Sequence, residues 1–87
     1  MELEESLAEL RQRFIADANA AADEQALDLV RIAYLGRNGE VTRVRRTIGT
    51  LSAHDRPGAG KAINDAVAAM EAHLNELRSR LETQEFE

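Results

Sequence analysis

The chain has 87 residues, no cysteine and one proline, which bounds it to a single small domain and excludes a disulfide framework, a thiolate metal site and a cysteine nucleophile. No apolar run approaches the ~20 residues that cross a bilayer, and the acidic opening MELEESLAEL is unlike a targeting peptide. The formal net charge of −5 argues against a general nucleic-acid binder only if the sum alone is read, because affinity for phosphate depends on a local patch.

Alanine, leucine, glutamate and arginine dominate, and aromatics are limited to Phe14, Tyr34 and Phe86. These are helix formers, and the composition points to an all-α, coiled-coil-like domain. Residues 2–20 read as the first helix. Leu3, Leu7, Leu10 and Phe14 follow the 4-3-4 spacing of a narrow apolar seam, and Glu2, Glu4, Glu5 and Glu9 fill the opening turns, where the helix dipole favours acids. The stretch ADANAAAD, residues 16–23, reads either as a weak continuation or as a break near Asn19.

Asp23 is a good N-cap for a second helix over 24–35. Leu27, Val30 and Tyr34 share its apolar face, with Leu29 and Ile32 expected to widen the stripe. Tyr34 reads as core. Gly36 is placed to end the helix in the left-handed conformation, and Asn38-Gly39 signals a tight turn.

A short third helix is predicted over 40–48, ended by Gly49. Val41, Val44, Ile48 and Leu51 share one face; Arg43 and Arg46 project away from it and Arg45 flanks it. Ser52 and Asp55 have the spacing of a capping box, and Pro57 is tolerated only in a first turn. The last helix therefore starts between Ser52 and Arg56 and runs to about Thr83, with a tail expected to fray. Its seam is Ile63, Val67, Met70, Leu74, Leu77 and Leu81, which the first helix could cover as an antiparallel hairpin.

The expected fold is thus all-α: an antiparallel helical hairpin or coiled coil, with short helices and turns at the tip. It is one domain, with a first arm (1–22), short helices and a basic tip (23–51), a long return helix (52–84) and a tail (85–87). Between Arg31 and Lys61 lie seven basic residues (Arg31, Arg37, Arg43, Arg45, Arg46, Arg56 and Lys61) against two acids, Glu40 and Asp55. The remainder is strongly acidic. A basic, turn-rich tip on two acidic arms is the charge pattern implied.

Candidate chemistry is sparse. His54 and His73 have no second histidine at ligand spacing, so no metal site is expected. Ser52, His54 and Asp55 resemble triad residues in name only, since neighbours at a helix start splay apart. The glycine pairs Gly36/Gly39 and Gly58/Gly60 lack the strand and lysine of a phosphate loop and read as turns. The arginines are different: the guanidinium is a planar, multi-donor group suited to phosphate. With no aromatic platform nearby, any RNA contact would be to backbone and shape. The plain alternative is a solvated helix whose arginines pair with neighbouring acids.

Tyr34-Leu35-Gly36-Arg37-Asn38-Gly39-Glu40-Val41-Thr42 resembles the YLGKKG-x-(L/V)-T stretch of the alpha subunit of bacterial phenylalanyl-tRNA synthetase. Arg56-Pro57-Gly58-Ala59-Gly60-Lys61-Ala62-Ile63-Asn64 is similar to the RPxxGxxIN stretch of the same family, and Ile48-Gly49-Thr50-Leu51 to the LGxL connector between them. The resemblance spans about Leu27 to Leu81 and implies the N-terminal, tRNA-binding coiled-coil domain. It implies phosphate contacts by Arg37, Arg43, Arg45, Arg46 and Lys61, with Arg56 a weaker candidate. The implied partners are phenylalanine tRNA, the catalytic domain and the beta subunit of an alpha-2-beta-2 enzyme, in the cytoplasm and away from membranes. The family's ATP and magnesium belong to a catalytic part that this chain does not include, so no cofactor and no catalysis are expected of it. The family's two loop lysines are Arg37 and Asn38 here, one charge fewer. The competing expectation is a helical protein–protein module that dimerises through the long seam of the last helix.

Overall fold

In the computed structural model, residues 2–85 are described, with side chains described for residues 3–83. The chain forms α1 (Glu2–Ala20), α2 (Glu24–Leu35), α3 (Glu40–Thr47), a 3-10 turn (Ile48–Thr50) and α4 (Arg56–Glu85). No strand occurs among the described residues. The molecule is a rod, 53 × 19 × 17 Å.

The break near Asn19 is real: α1 stops at Ala20, and Asp23 caps α2 by accepting the Ala26 backbone N–H at 2.7 Å. The reversal is short, so α2 runs back along α1. Tyr34 donates its hydroxyl proton to Asp17, and Arg13 pairs with Glu40 at 2.8 Å. Residue numbers therefore fall on α1 as they rise along α2 and into α3. Together α2 and α3 hold about as many helical residues as α1, so at ~1.5 Å per residue they return the chain to the level of the α1 start.

From there α4 runs back up. Leu3 and Glu4 share a crevice with Gly58, Ala59 and Ala62; Phe14 meets Met70 and His73; Asn19 hydrogen-bonds His73 at 3.0 Å. Here the numbers rise together. The all-α class and the helical hairpin are as expected, but the pairing within it differs. The antiparallel partner of α4 is the broken α2–α3 arm, and α1 lies parallel to α4.

The core follows the seams. Leu7, Leu10, Phe14 and Ala18 of α1, Leu27 and Tyr34 of α2, Val41 of α3, and Ile63, Ala66, Met70 and Leu74 of α4 form one buried cluster. Burying a side chain as large as Phe14 contributes roughly 1.5–3 kcal/mol. Between Ile63 and Met70 on α4 it is Ala66 that is buried, and Val67 is half-buried. The reason is that α4 is covered from two sides, so its apolar stripe is broader than a two-stranded seam. Leu77 and Leu81 pack against the cluster while partly exposed.

Four local expectations are corrected. Leu29 is 63% exposed and Ile32 48% exposed, so they do not widen the core stripe. At ~100° per residue both fall on the far side of α2 from Leu27 and Tyr34. Gly36 is not left-handed: its φ is −72° and its ψ 177°, and the helix ends by turning extended. Glycine is required there by proximity, since a Cβ would strike the Ile32 carbonyl oxygen; at Gly39 it would lie 2.7 Å from that of Tyr34. Gly49 does not end α3; the α-helix stops at Thr47 and tightens into a 3-10 turn that contains it. Ser52 does not make a capping box, because its hydroxyl donates to the Asp55 carboxylate at 3.1 Å and α4 begins at Arg56. Pro57 sits in the first turn of α4, which continues through Thr83 to Glu85; the last two residues of the tail expected to fray lie outside the described residues.

Candidate nucleic-acid interface

The turn before α3 is tight. The Gly36 carbonyl accepts the Gly39 N–H at 2.9 Å and the Thr42 hydroxyl at 2.8 Å. This fixes the start of α3, and Val41 buries its inner face. Arg43, Arg45 and Arg46 are all exposed, but they do not form one tight cluster. Arg43 turns towards α1, sharing a crevice with Ser6, Glu9 and Glu40. Arg45 turns towards α4, where its Nη1 donates to Asn64 Oδ1 at 3.2 Å. Arg46 projects away from both, opposite Val41 and Val44 on the helix. Arg37 is exposed in the turn, and Lys61 is exposed on α4 one turn before Asn64.

Arg56 has a different role. Its Nε donates to the Leu51 carbonyl at 3.1 Å and its Nη2 to the Gly49 carbonyl at 3.3 Å. It ties the connector to the start of α4 while keeping its charge. The structure thus brings Arg45 and Lys61 to the α3–α4 junction, spreads Arg43 and Arg46 round the outer surface of α3, and sets Arg37 and Arg56 before and after it.

The parallel course of α1 also changes the charge map. Its acidic first turns lie at the same end as the basic segment. Glu4 lines a crevice with His54 and Asp55, and Glu9 lines one with Arg43. The basic surface is bordered by carboxylates on the α1 side; on the α3–α4 side it meets Asn64, with Asp65 exposed one turn after Lys61. The expected separation of a basic tip from acidic arms is therefore incomplete.

Tyr34 is buried, and its hydroxyl reaches the exposed carboxylate of Asp17. Tyr34 packs its ring against Phe14 at a centroid distance of 5.4 Å and donates to Asp17 at 2.5 Å. Burial, and then the bond to the Asp17 carboxylate, push its phenol up to about 12. Tyr34 is not presented for base stacking. Ser52 engages Asp55 and no histidine, so its hydroxyl has no base. Among the described residues no three His, Asp or Glu side chains gather as a metal ion would need, and no helix is long and apolar enough to cross a membrane.

Asn64 was not among the candidate residues read from the sequence. Its signal was available in part: it stands three residues after Lys61 in the RPxxGxxIN-like stretch, on the same face of the helix. What sequence could not supply was the neighbour across the gap, Arg45.

Residues 22–87 match the family model described as the N-terminal domain of class II aminoacyl tRNA synthetases. The chain is 45% identical over 78 residues to the phenylalanine–tRNA ligase alpha subunit of Teredinibacter turnerae, covering 90% of this chain and 24% of that one. It is 41% identical over 78 residues to the alpha subunit of Marinobacter nauticus, with the same coverage. Against that of Desulforamulus reducens the identity is 38% over 79 residues, 91% of this chain and 23% of the relative. The chain thus spans about a quarter of the length of the curated relatives it matches. No solved structure matches it.

Proposed function

Because this chain belongs to the family of class II aminoacyl-tRNA synthetase N-terminal domains, we propose that it is a noncatalytic, tRNA-binding helical domain of a phenylalanine–tRNA ligase alpha subunit. Its basic surface contacts the sugar–phosphate backbone through Arg37, Arg43, Arg45, Arg46 and Lys61, with Arg56 adding charge while it holds the connector. The tRNA is the phenylalanine acceptor, and the catalytic domain and beta subunit are its companions in the cytoplasm. ATP and magnesium would serve the ligase reaction elsewhere in that enzyme.

One observation carries this reading: Arg37, Arg43, Arg45, Arg46 and Lys61 are exposed and make no ion pair with the described residues. An arginine bound to a neighbouring acid has little charge left for a ligand; these have not been neutralised in that way. The test is binding of phenylalanine tRNA to the 87-residue chain across a salt series. Each phosphate engaged adds about 0.9 to the magnitude of the slope of log K against log salt for a duplex. A slope equal to several contacts is expected, with about three lost on replacing Arg43, Arg45 and Arg46 by alanine. A triple variant with the parental slope and affinity would show that these arginines are not the contacts.

A second reading, a helical protein–protein module, rests on a different surface from the α4 seam. Leu29 and Ile32 stand exposed on α2, and Leu29 borders a groove of about 610 Å3 between α1 and α2 lined by Ala20, Ala21, Ala26 and Val30. Sedimentation over a range of concentrations tests it: self-association abolished by Leu29→Gln with Ile32→Gln supports the module, and a monomer at every concentration removes self-association from it.

A further inference from the structure

The arginines differ in what holds them. Arg13, Arg31 and Arg80 each donate to a carboxylate, Glu40 at 2.8 Å, Asp28 at 2.9 Å and Glu76 at 2.6 Å. Arg45 and Arg56 donate to neutral oxygens instead: Arg45 to the side-chain amide of Asn64, Arg56 to two backbone carbonyls. The distinction matters for a polyanion. A carboxylate orients a guanidinium and cancels its charge; an amide oxygen orients it and leaves the charge intact.

Arg45 also keeps donors to spare. The bond to Asn64 uses Nη1, so Nη2 and Nε remain for a bidentate contact. Arg56 spends both Nε and Nη2 on the connector. Lys61 lies one turn before Asn64 on α4, which puts its ammonium on the same side of the helix. The α3–α4 junction therefore offers a guanidinium held in place, with its charge retained, next to a second cation, on the side of the basic surface away from the α1 carboxylates.

We propose that Asn64 is a positioning residue for phosphate recognition: across the α3–α4 junction its amide oxygen presets the Arg45 guanidinium to clasp an RNA phosphate. An arginine that is already oriented loses less side-chain freedom when the phosphate arrives. The proposal rests on the RNA-binding reading above and adds a residue that carries no charge of its own.

That neutrality makes the test specific. Binding of phenylalanine tRNA is measured across a salt series for the parental chain, Arg45→Ala, Asn64→Ala, the double variant, Asn64→Gln and Asn64→Asp, with a thermal melt of each by circular dichroism. Arg45→Ala is expected to lower the slope magnitude by about 0.9, one phosphate. Asn64→Ala, although it removes no charge, is expected to lower it by a similar amount, and the double variant to lose no more than either single one. Asn64→Gln restores part of the loss, because it keeps the amide oxygen. Asn64→Asp fails to restore it, because a carboxylate neutralises Arg45. A purely structural role for Asn64 would move the melt and leave the slope alone. If Asn64→Ala keeps the parental slope while Arg45→Ala loses a contact, the positioning role is wrong and the RNA-binding reading survives. If the parental chain shows no salt-dependent binding at all, the RNA-binding reading fails and this proposal falls with it.

Discussion

At the scale of single residues, Tyr34 is the clearest case of an environment setting a property. It is the only tyrosine, and the chain has no tryptophan, so its ionisation can be followed by the tyrosinate ultraviolet band without overlap. The folded chain should titrate with a midpoint of about 12, and the unfolded chain near 10. Between those values the unfolded state releases a proton that the folded state keeps. Rising pH therefore favours unfolding in that window; the contribution is fully present below pH 10 and lost as pH climbs towards 12. Asp17→Asn should bring the folded midpoint down, though not to 10, because burial is the larger cause. A midpoint of 10 in the folded chain would mean that the ring is not buried against Phe14 as described. Asp23 and Gly36 make a contrasting pair at the same scale. The cap at Asp23 was legible because a side-chain oxygen and an N–H three residues on need only local geometry. The conformation at Gly36 was not, because the left-handed end and the extended end of a helix use the same residue; here the Gly36 carbonyl is taken up by the turn that follows, accepting the Gly39 N–H and the Thr42 hydroxyl.

At the scale of elements, α2 separates what periodicity shows from what it conceals. Leu27, Leu29, Val30, Ile32 and Tyr34 are all apolar, but the helix has only one inner face. Leu27→Ala should cost about 2–5 kcal/mol, as for other buried leucines. Leu29→Gln and Ile32→Gln should each change stability by less than about 0.5 kcal/mol, as exposed positions do. Denaturant unfolding of the three variants checks this; equal losses at Leu27 and Leu29 would place both in the core and contradict the orientation of α2. The same logic explains α4. Its spacing announced a long helix with a seam, and that element is present. Which of Ala66 and Val67 is the more buried depended on the number of neighbours, and sequence spacing does not count neighbours.

For the whole molecule, the parallel course of α1 and α4 is the main consequence of tertiary structure. Two apolar seams will pack in either direction, and the a/d spacing of Leu3 to Phe14 is indifferent to which. Direction is decided by the broken α2–α3 arm, which returns the chain to the level of the α1 start before α4 begins. The absence of native cysteine makes this easy to probe with paired labels. Cysteines at Glu4 and His54, both exposed and lining one crevice, should lie close enough for a short cross-linker; cysteines at Glu4 and Arg80 should lie far apart along the 53 Å rod. An efficient Glu4–Arg80 cross-link with none at Glu4–His54 would restore the antiparallel pairing of α1 with α4. The direction matters for the proposed RNA contact because it sets the α1 carboxylates beside the basic segment, with the α3–α4 side turned away from them.

The sequence by itself determined the helical class, the Asp23 cap and span of the second helix, the accumulation of positive charge between Arg31 and Lys61, and the motifs of the synthetase family; it left open whether the first helix broke before the second. Each depends on neighbours along the chain: propensity, caps, spacing and residue identity. Only the tertiary structure decided which way α1 lies on α4, which apolar residues of α2 remain in water, that Arg56 holds the connector, and that Asn64 reaches Arg45. Those outcomes depend on groups distant in sequence meeting across a gap, and a hydrogen bond or an apolar contact carries no mark in the sequence of where its partner stands.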